Sequence, residues 1–327
     1  MKINKNTKII LLAIFCVAVL LLPAFDNNTY HHVVMNQALV NIVVVMGLNF
    51  ITGLTGQMNL GTAGIMALGA YAAALTTTKL GLSSWAGFVV SIAVGCLIGV
   101  GLGYPSLRLK GVYLALTTIG FSEITRLVLT NWVTLTGGTM GIREIPYINI
   151  FGYDLNTSRK VFYLYFFIVL VLGFTANRIV KSKFGRVFKA IRDNADAVES
   201  CGINIASLKI QAFTLCTIYG CLGGSMYTYL IGYINPTAFT MDLSANYLVM
   251  MMFGGIGSVA GNIIGAAAIT ILPEILRFMS TYYWLVFSII TLLFAIFLPN
   301  GVVSLFTGNK PLGMFWTTRK EKVRRQK

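Results

Sequence analysis

Apolar runs long enough to cross a bilayer alternate with short polar breaks along almost the whole chain. A spanning helix needs about 20 predominantly apolar residues, fewer where it is broken and enclosed by protein. Candidate runs are 9–25, 33–51, 64–78, 85–103, 112–132, 161–180, 210–232, 247–256, 261–278 and 283–298. The pattern predicts an all-α, polytopic integral membrane protein of about ten transmembrane helices, several broken by glycine. The count is eight to ten, because 64–78 and 247–256 are short. One transmembrane domain accounts for residues 1–327, with its membrane-embedded core over 9–306 and a basic tail over 307–327. The start imitates a secretory signal, but no small-x-small cleavage pattern follows Pro23, Ala24 and Phe25, so it reads as a retained span.

The longest polar run between spans is 181–209, KSKFGRVFKAIRDNADAVESCGINIASLK. Phe184, Val187, Phe188, Ile191, Ala195 and Val198 recur at three- and four-residue steps and make one apolar helical stripe. Lys183, Arg186, Lys189 and Arg192 fill the first half of the other face, and Asp193, Asp196 and Glu199 the second. In one straight helix that order opposes the macrodipole, which favours acids early and bases late. Two short helices remove the conflict. The first covers about 183–192. The second is capped by Asp193 or Asn194 and stops at Gly202. Helices this short are marginal alone in water, so the segment must dock, either on the membrane surface or on a cytosolic partner. Between spans on the opposite side, 133–160 is too polar to cross and too long for a bare turn, which predicts an irregular cap or a short surface helix.

Composition agrees: 56 % of the 327 residues are hydrophobic and 11 % charged, against about 25 % charged in globular proteins. A net charge of +15 suggests nucleic acid until it is located. Nineteen of the 25 bases lie before the first span, in the loop holding Arg108 and Lys110, around 178–209, and in the tail. The positive-inside rule puts these segments, and both termini, in the cytoplasm of a multi-pass protein of the cell membrane. The charge encodes topology, and a nucleic-acid partner is not called for. No CxxC pair is present, and the two histidines, His31 and His32, are adjacent and diverge on a helix, which excludes an obvious metal site. There is no GxxxxGK[ST] phosphate loop, no Ser-His-Asp set and no carboxylate pair of catalytic type. The chain reads as a non-enzyme that binds no cofactor, and any nucleotide that drives it belongs to another subunit.

Two places carry candidate chemistry. Residues 47–71, GLNFITGLTGQMNLGTAGIMALGAY, interrupt an apolar run with five further glycines and three amides. Such amides are expensive in lipid and face either the bundle interior or a water-filled path. Glycine-interrupted segments are also where transporters break helices to expose backbone to substrate. Asn49, Gly53, Gly56, Gln57, Asn59, Gly61 and Gly64 are therefore candidates for a translocation path or its gate, with close helix packing as the alternative. A second break lies at 253–265, and GxxxG steps occur at Gly257, Gly261 and Gly265 and at Gly95, Gly99 and Gly103. Glu123 and Arg126 stand one helical turn apart inside a span, within pairing reach. An ion pair at that depth is either structural or functional.

With these motifs in place the chain resembles the permease subunits of branched-chain amino acid ABC importers, the LivM type. Four stretches carry the resemblance: residues 47–71; GYPSLRLKGVYLALTTIGFSEITRLVLTNWVTLTGG; SKFGRVFKAIRDNADAVESCGINIASLKIQAF; and GYINPTAFTMDLS followed by MMFGGIGSVAGNIIGA. They cover about 41–306 in order. The resemblance implies a second homologous permease in a heterodimer, two cytosolic ATP-binding subunits that hold ATP and Mg, and an extracytoplasmic substrate-binding protein, all around a lipid bilayer. It makes 181–209 the coupling segment, with Phe184, Gly185, Arg186, Phe188, Ile191, Arg192, Glu199 and Gly202 as its contact residues and the two phenylalanines as anchors. Relatives carry urea or short amides on a similar template. An ion-coupled secondary transporter, which works without partners, is the competing expectation.

Overall fold

The computed structural model describes residues 28–109, 111–150 and 153–276, with residues 20, 23, 285, 286, 288, 289, 292 and 301. The candidate spans 9–25 and 283–298 and the tail 307–327 lie outside the described residues, isolated positions excepted. The other eight candidates each fall largely on helix over their described residues. Among the described residues, five helices are long and apolar enough to cross a membrane.

α1 (Thr29–Leu48) is capped by Asn28, whose side chain accepts from the Tyr30 N–H, and over 38–48 it is apolar on all sides apart from Asn41. A helix of that kind is stable only when enclosed. α1 is the centre of the bundle, and from Ala38 to Phe50 every residue is buried. It continues as a π-helix, Asn49–Thr55, which ends where Gly56 turns left-handed at φ +72. After the non-helical stretch 56–61 the chain re-enters helix as α2 (Thr62–Thr78).

α3 (Ser84–Ser106) and α4 (Val112–Asn131) follow. α3 buries its small residues, Gly87, Ser91, Gly95, Gly99 and Gly103. The GxxxG steps are thus an internal seam. A methyl group added at Gly95 would stand 2.9 Å from Ile218 Cα, and one at Gly103 3.1 Å from Ile210 Cα. The partner is α9 (Ile205–Ile231), and Thr217 donates from it to the Gly95 carbonyl at 2.7 Å. α4 is held chiefly by α2 and by the connection after it.

That connection is an ordered cap. It holds a four-residue helix, α5 (Val133–Thr136), and a hairpin of two-residue strands, β1 (Asn149–Ile150) and β2 (Tyr153–Asp154). Ile142 and Ile234 exchange backbone hydrogen bonds at 2.9 and 3.0 Å, and the Trp85 indole donates to the Asn149 carbonyl at 3.0 Å. The cap therefore closes over one end of α3 and α9.

α6 (Ser158–Lys181) presents Phe162, Tyr165, Phe166 and Val169 to α1 and leaves Phe167, Leu170 and Phe174 outside. Two short helices follow, α7 (Lys183–Asp193) and α8 (Ala195–Ser200). Asn194, rather than Asp193, caps the second, its side chain accepting from Ala197 N–H at 3.1 Å, and Gly202 turns left-handed after it. α10 (Met241–Gly254) and α11 (Val259–Ile275) close the described fold as a hairpin in which Gly254 lies against Gly261 and Gly265.

Candidate functional site

Three segments far apart in sequence meet at the π-helical end of α1: the broken region itself, α7, and the loop between α10 and α11. Asn49 is buried, and its Oδ1 accepts from the Gly257 N–H at 2.8 Å, across 208 positions of sequence. Gly53 sits against the Asn49 side chain, where a larger residue has no room. The Gly53 carbonyl accepts from Arg192 Nη1 at 2.8 Å. Gly56 is exposed and left-handed. Gln57 is half-buried, with its Oε1 enclosed and unpartnered.

Past the break, α2 begins with backbone N–H groups that have no intrahelical acceptor. Side chains supply them. Leu60 N–H donates to Thr118 Oγ at 3.0 Å, Gly61 N–H to Asn59 Oδ1 at 2.8 Å, and Ala63 N–H to Ser244 Oγ at 2.8 Å. The start of α2 is thus pinned by the break, α4 and α10 together. Gly61 and Gly64 let α4 come close: an added methyl would stand 2.7 Å from Thr118 O at the first and 2.7 Å from Ser122 Cα at the second. Asn49 and Asn59 are both enclosed in the bundle interior. Their Oδ1 atoms accept from backbone N–H groups and Asn59 Nδ2 donates to Cys216 Sγ at 3.7 Å, while Asn49 Nδ2 has no hydrogen-bond partner among the described residues. Of the seven residues expected there, Gly56 and Gln57 reach the surface.

Glu123 and Arg126 pair bidentately on α4. Arg126 Nε lies 3.1 and 3.2 Å from the two carboxylate oxygens, and Nη2 bonds Oε1. The pair is on the outward side of the helix, with Tyr113, Leu116 and Ile124 also exposed.

In the 181–209 segment the expected stripe divides. Phe188 is 1 % exposed and Ile191 is buried, both in the main core, whereas Phe184 is 56 % exposed. Phe188 is consumed by this chain's own packing, which corrects its expected role as an anchor for a partner. Gly185 is buried against the Ile179 and Val180 carbonyls. Arg186, Glu199 and Gly202 are exposed. Glu199 and Gly202 border an open groove of about 450 Å³ with residues 203–206. Arg192 points inward, its side chain only 5 % exposed. The available signal was its place one turn after Phe188, on the buried side. Among the described residues no group of three His, Cys, Asp or Glu is placed to hold a metal.

Residues 32–296 match the family described as branched-chain amino acid transport system, permease component. The high-affinity branched-chain amino acid transport system permease protein LivM of Salmonella typhimurium is 31 % identical over 293 residues, covering 83 % of this chain and 69 % of that protein. The protein of the same name from Escherichia coli is 31 % identical over 288 residues, covering 81 % and 68 %. No solved structure matches the chain.

Proposed function

We infer the function from one premise: this chain belongs to the family of branched-chain amino acid transport system permease components. It is a multi-pass membrane permease subunit of an ABC importer. We propose that it carries leucine, isoleucine and valine inward, with urea, short amides or other amino acids as the alternative cargo. The importer reading supplies two cytosolic subunits that bind ATP and Mg, an extracytoplasmic binding protein, and a second, homologous permease in a heterodimer. Both termini and 181–209 then face the cytoplasm, and about ten helices span.

The observation that carries the reading furthest is the Glu123–Arg126 pair on the outward face of α4. A charge pair midway along a spanning helix is costly against lipid tails and belongs at a water-filled path or against protein. α4 is therefore the side on which the second permease and the path lie. The broken stretch 56–61 gates that path: Gly56 and Gln57 face it, while Asn49, Gly53, Asn59, Gly61 and Gly64 brace the break. In 181–209 the exposed residues Phe184, Arg186, Glu199 and Gly202 meet the ATP-binding subunit. Gly185, Phe188 and Ile191 seat α7 on the membrane body.

The test is transport by the purified, complete complex in vesicles. ATP-dependent uptake of leucine, isoleucine and valine that needs the binding protein is expected. Uptake driven by an ion gradient without ATP would replace this reading with a secondary transporter. Uptake of urea or amides alone would move the cargo and keep the class.

A further inference from the structure

The four bases of α7 do not share one fate. Lys183, Arg186 and Lys189 are exposed. Arg192 turns into the protein and places Nη1 2.8 Å from the Gly53 carbonyl. That carbonyl lies in the last turn of the helix formed by α1 and its π-helical extension, where backbone acceptors lack intrahelical donors and the helix carries its partial negative charge. Arg192 is thus a cationic cap borrowed from another element, 139 positions away.

The cap is incompletely satisfied. Among the described residues, the carboxylate that pairs with it is Asp193, 4.0 Å from Arg192 Nε and itself exposed, and Nε has no hydrogen-bond partner. A buried guanidinium without a close counter-ion costs stability, so a neutral packed residue would serve the fold better. Arg192 reaches the π-helical turn just before the left-handed Gly56, and a Cβ added at Gly257, whose N–H holds Asn49, would stand 4.0 Å from Arg192 Nη1.

The geometry points to Arg192 as the positioning residue that transmits movement of the cytosolic segment to the gate, by tying α7 to the carbonyl end of α1 at Gly53. This rests on the importer reading and assigns the transmission to one contact. Phe188 and Ile191 seat α7 on the body by apolar contact, which is tolerant of sliding. The Arg192 bond is directional and fixes where the last turn of α1 sits relative to α7. When an ATP-binding subunit displaces α7, the carbonyl end of α1 and the break at Gly56 move with it.

The experiment uses the full complex with its ATP-binding subunits and binding protein, reconstituted in vesicles, and reads substrate moved per ATP hydrolysed. Arg192→Ala is expected to assemble, to co-purify with the ATP-binding subunits, and to move at least tenfold less substrate per ATP. Arg192→Lys, which keeps a cationic donor, should recover more than half of the wild-type ratio. Arg192→Gln, which keeps a donor without the charge, should fall between Ala and Lys. A wild-type ratio in Arg192→Ala overturns the proposal. So does loss of the ATP-binding subunits on purification, which would make Arg192 a docking residue. Failure of both the Ala and Gln variants to accumulate overturns it too, by assigning Arg192 to folding alone. Absent ATP-driven uptake in the wild-type complex would instead count against the proposed function.

Discussion

α3 and α4 are adjacent in sequence, similar in length and opposite in what they hide. α3 buries glycines and serine and turns Val89, Ile92, Leu97 and Val100 outward, without one charge on that face. α4 buries Leu114, Thr118, Ser122 and Thr125 and turns outward a face that includes Thr117, Glu123 and part of Arg126. Exposure in the single chain is therefore two different things. Beyond α3 the surroundings must be apolar and unspecific, as lipid is. Beyond α4 they must meet an ion pair, as a wet path or another protein does.

The harshest way to break the contrast is at the seam under α3. Gly99 lies so close to Thr214 that even a methyl group has no room. Gly99→Leu should force α3 off α9 at a cost of about 3 kcal/mol or more, the upper range for overpacking. The readout is loss of folded protein from the membrane fraction and early thermal unfolding in detergent. Normal yield and melting would mean that α3 does not pack as described.

Next is a charge on the face assigned to lipid. Leu97 is 75 % exposed near the middle of α3. Leu97→Arg should cost about 2.5–3 kcal/mol of insertion, seen as a several-fold drop in membrane-inserted protein. Full insertion would place water or protein, not lipid, against α3.

A milder change sharpens the α4 side. Glu123→Gln strands Arg126, and the expected loss is about tenfold in ATP-driven uptake, or ~1.4 kcal/mol, at normal protein level. Glu123→Gln with Arg126→Gln removes both charges and should recover most of it. If the single variant instead lost membrane protein while its specific transport stayed normal, the pair would be structural only.

Much of this contrast was legible in the sequence, for local reasons. Apolar runs give the helices, and the order of charges in 181–209 gives two helices instead of one. The spacing of Gly95, Gly99 and Gly103 gives a close approach. What periodicity does not contain is distance across the fold. Phe184 and Phe188 sit one turn apart on the same stripe, yet the first projects past the edge of the body and the second lies in it. A stripe gives a direction and not the extent of what it faces. The amides at Asn49 and Asn59 were recognisable as groups that must be paired. Their acceptors and donors were not, because Asn49 answers to Gly257 and Asn59 to Cys216. Arg192 stands one turn after Phe188, on the buried side, but its charge assigns it to the polar face, and nothing local names the distant helix that it caps.

Two further glycines isolate the central claim. Among the described residues, nothing lies within 4 Å of a Cβ added at Gly101 on α3 or at Gly120 on α4. Replacing either by leucine improves helix propensity by up to about 1 kcal/mol, and its Cβ meets no described neighbour in the subunit. The two should differ only through what lies outside. Side by side in the reconstituted complex, Gly101→Leu is expected to transport like wild type, because lipid yields to it. Gly120→Leu is expected to reach the membrane in normal amount and to lose at least tenfold in ATP-driven uptake, because a side chain there enters the path or the contact with the second permease. Wild-type uptake in Gly120→Leu, or equal loss in both, would contradict the assignment of α4 to the transport side of the molecule.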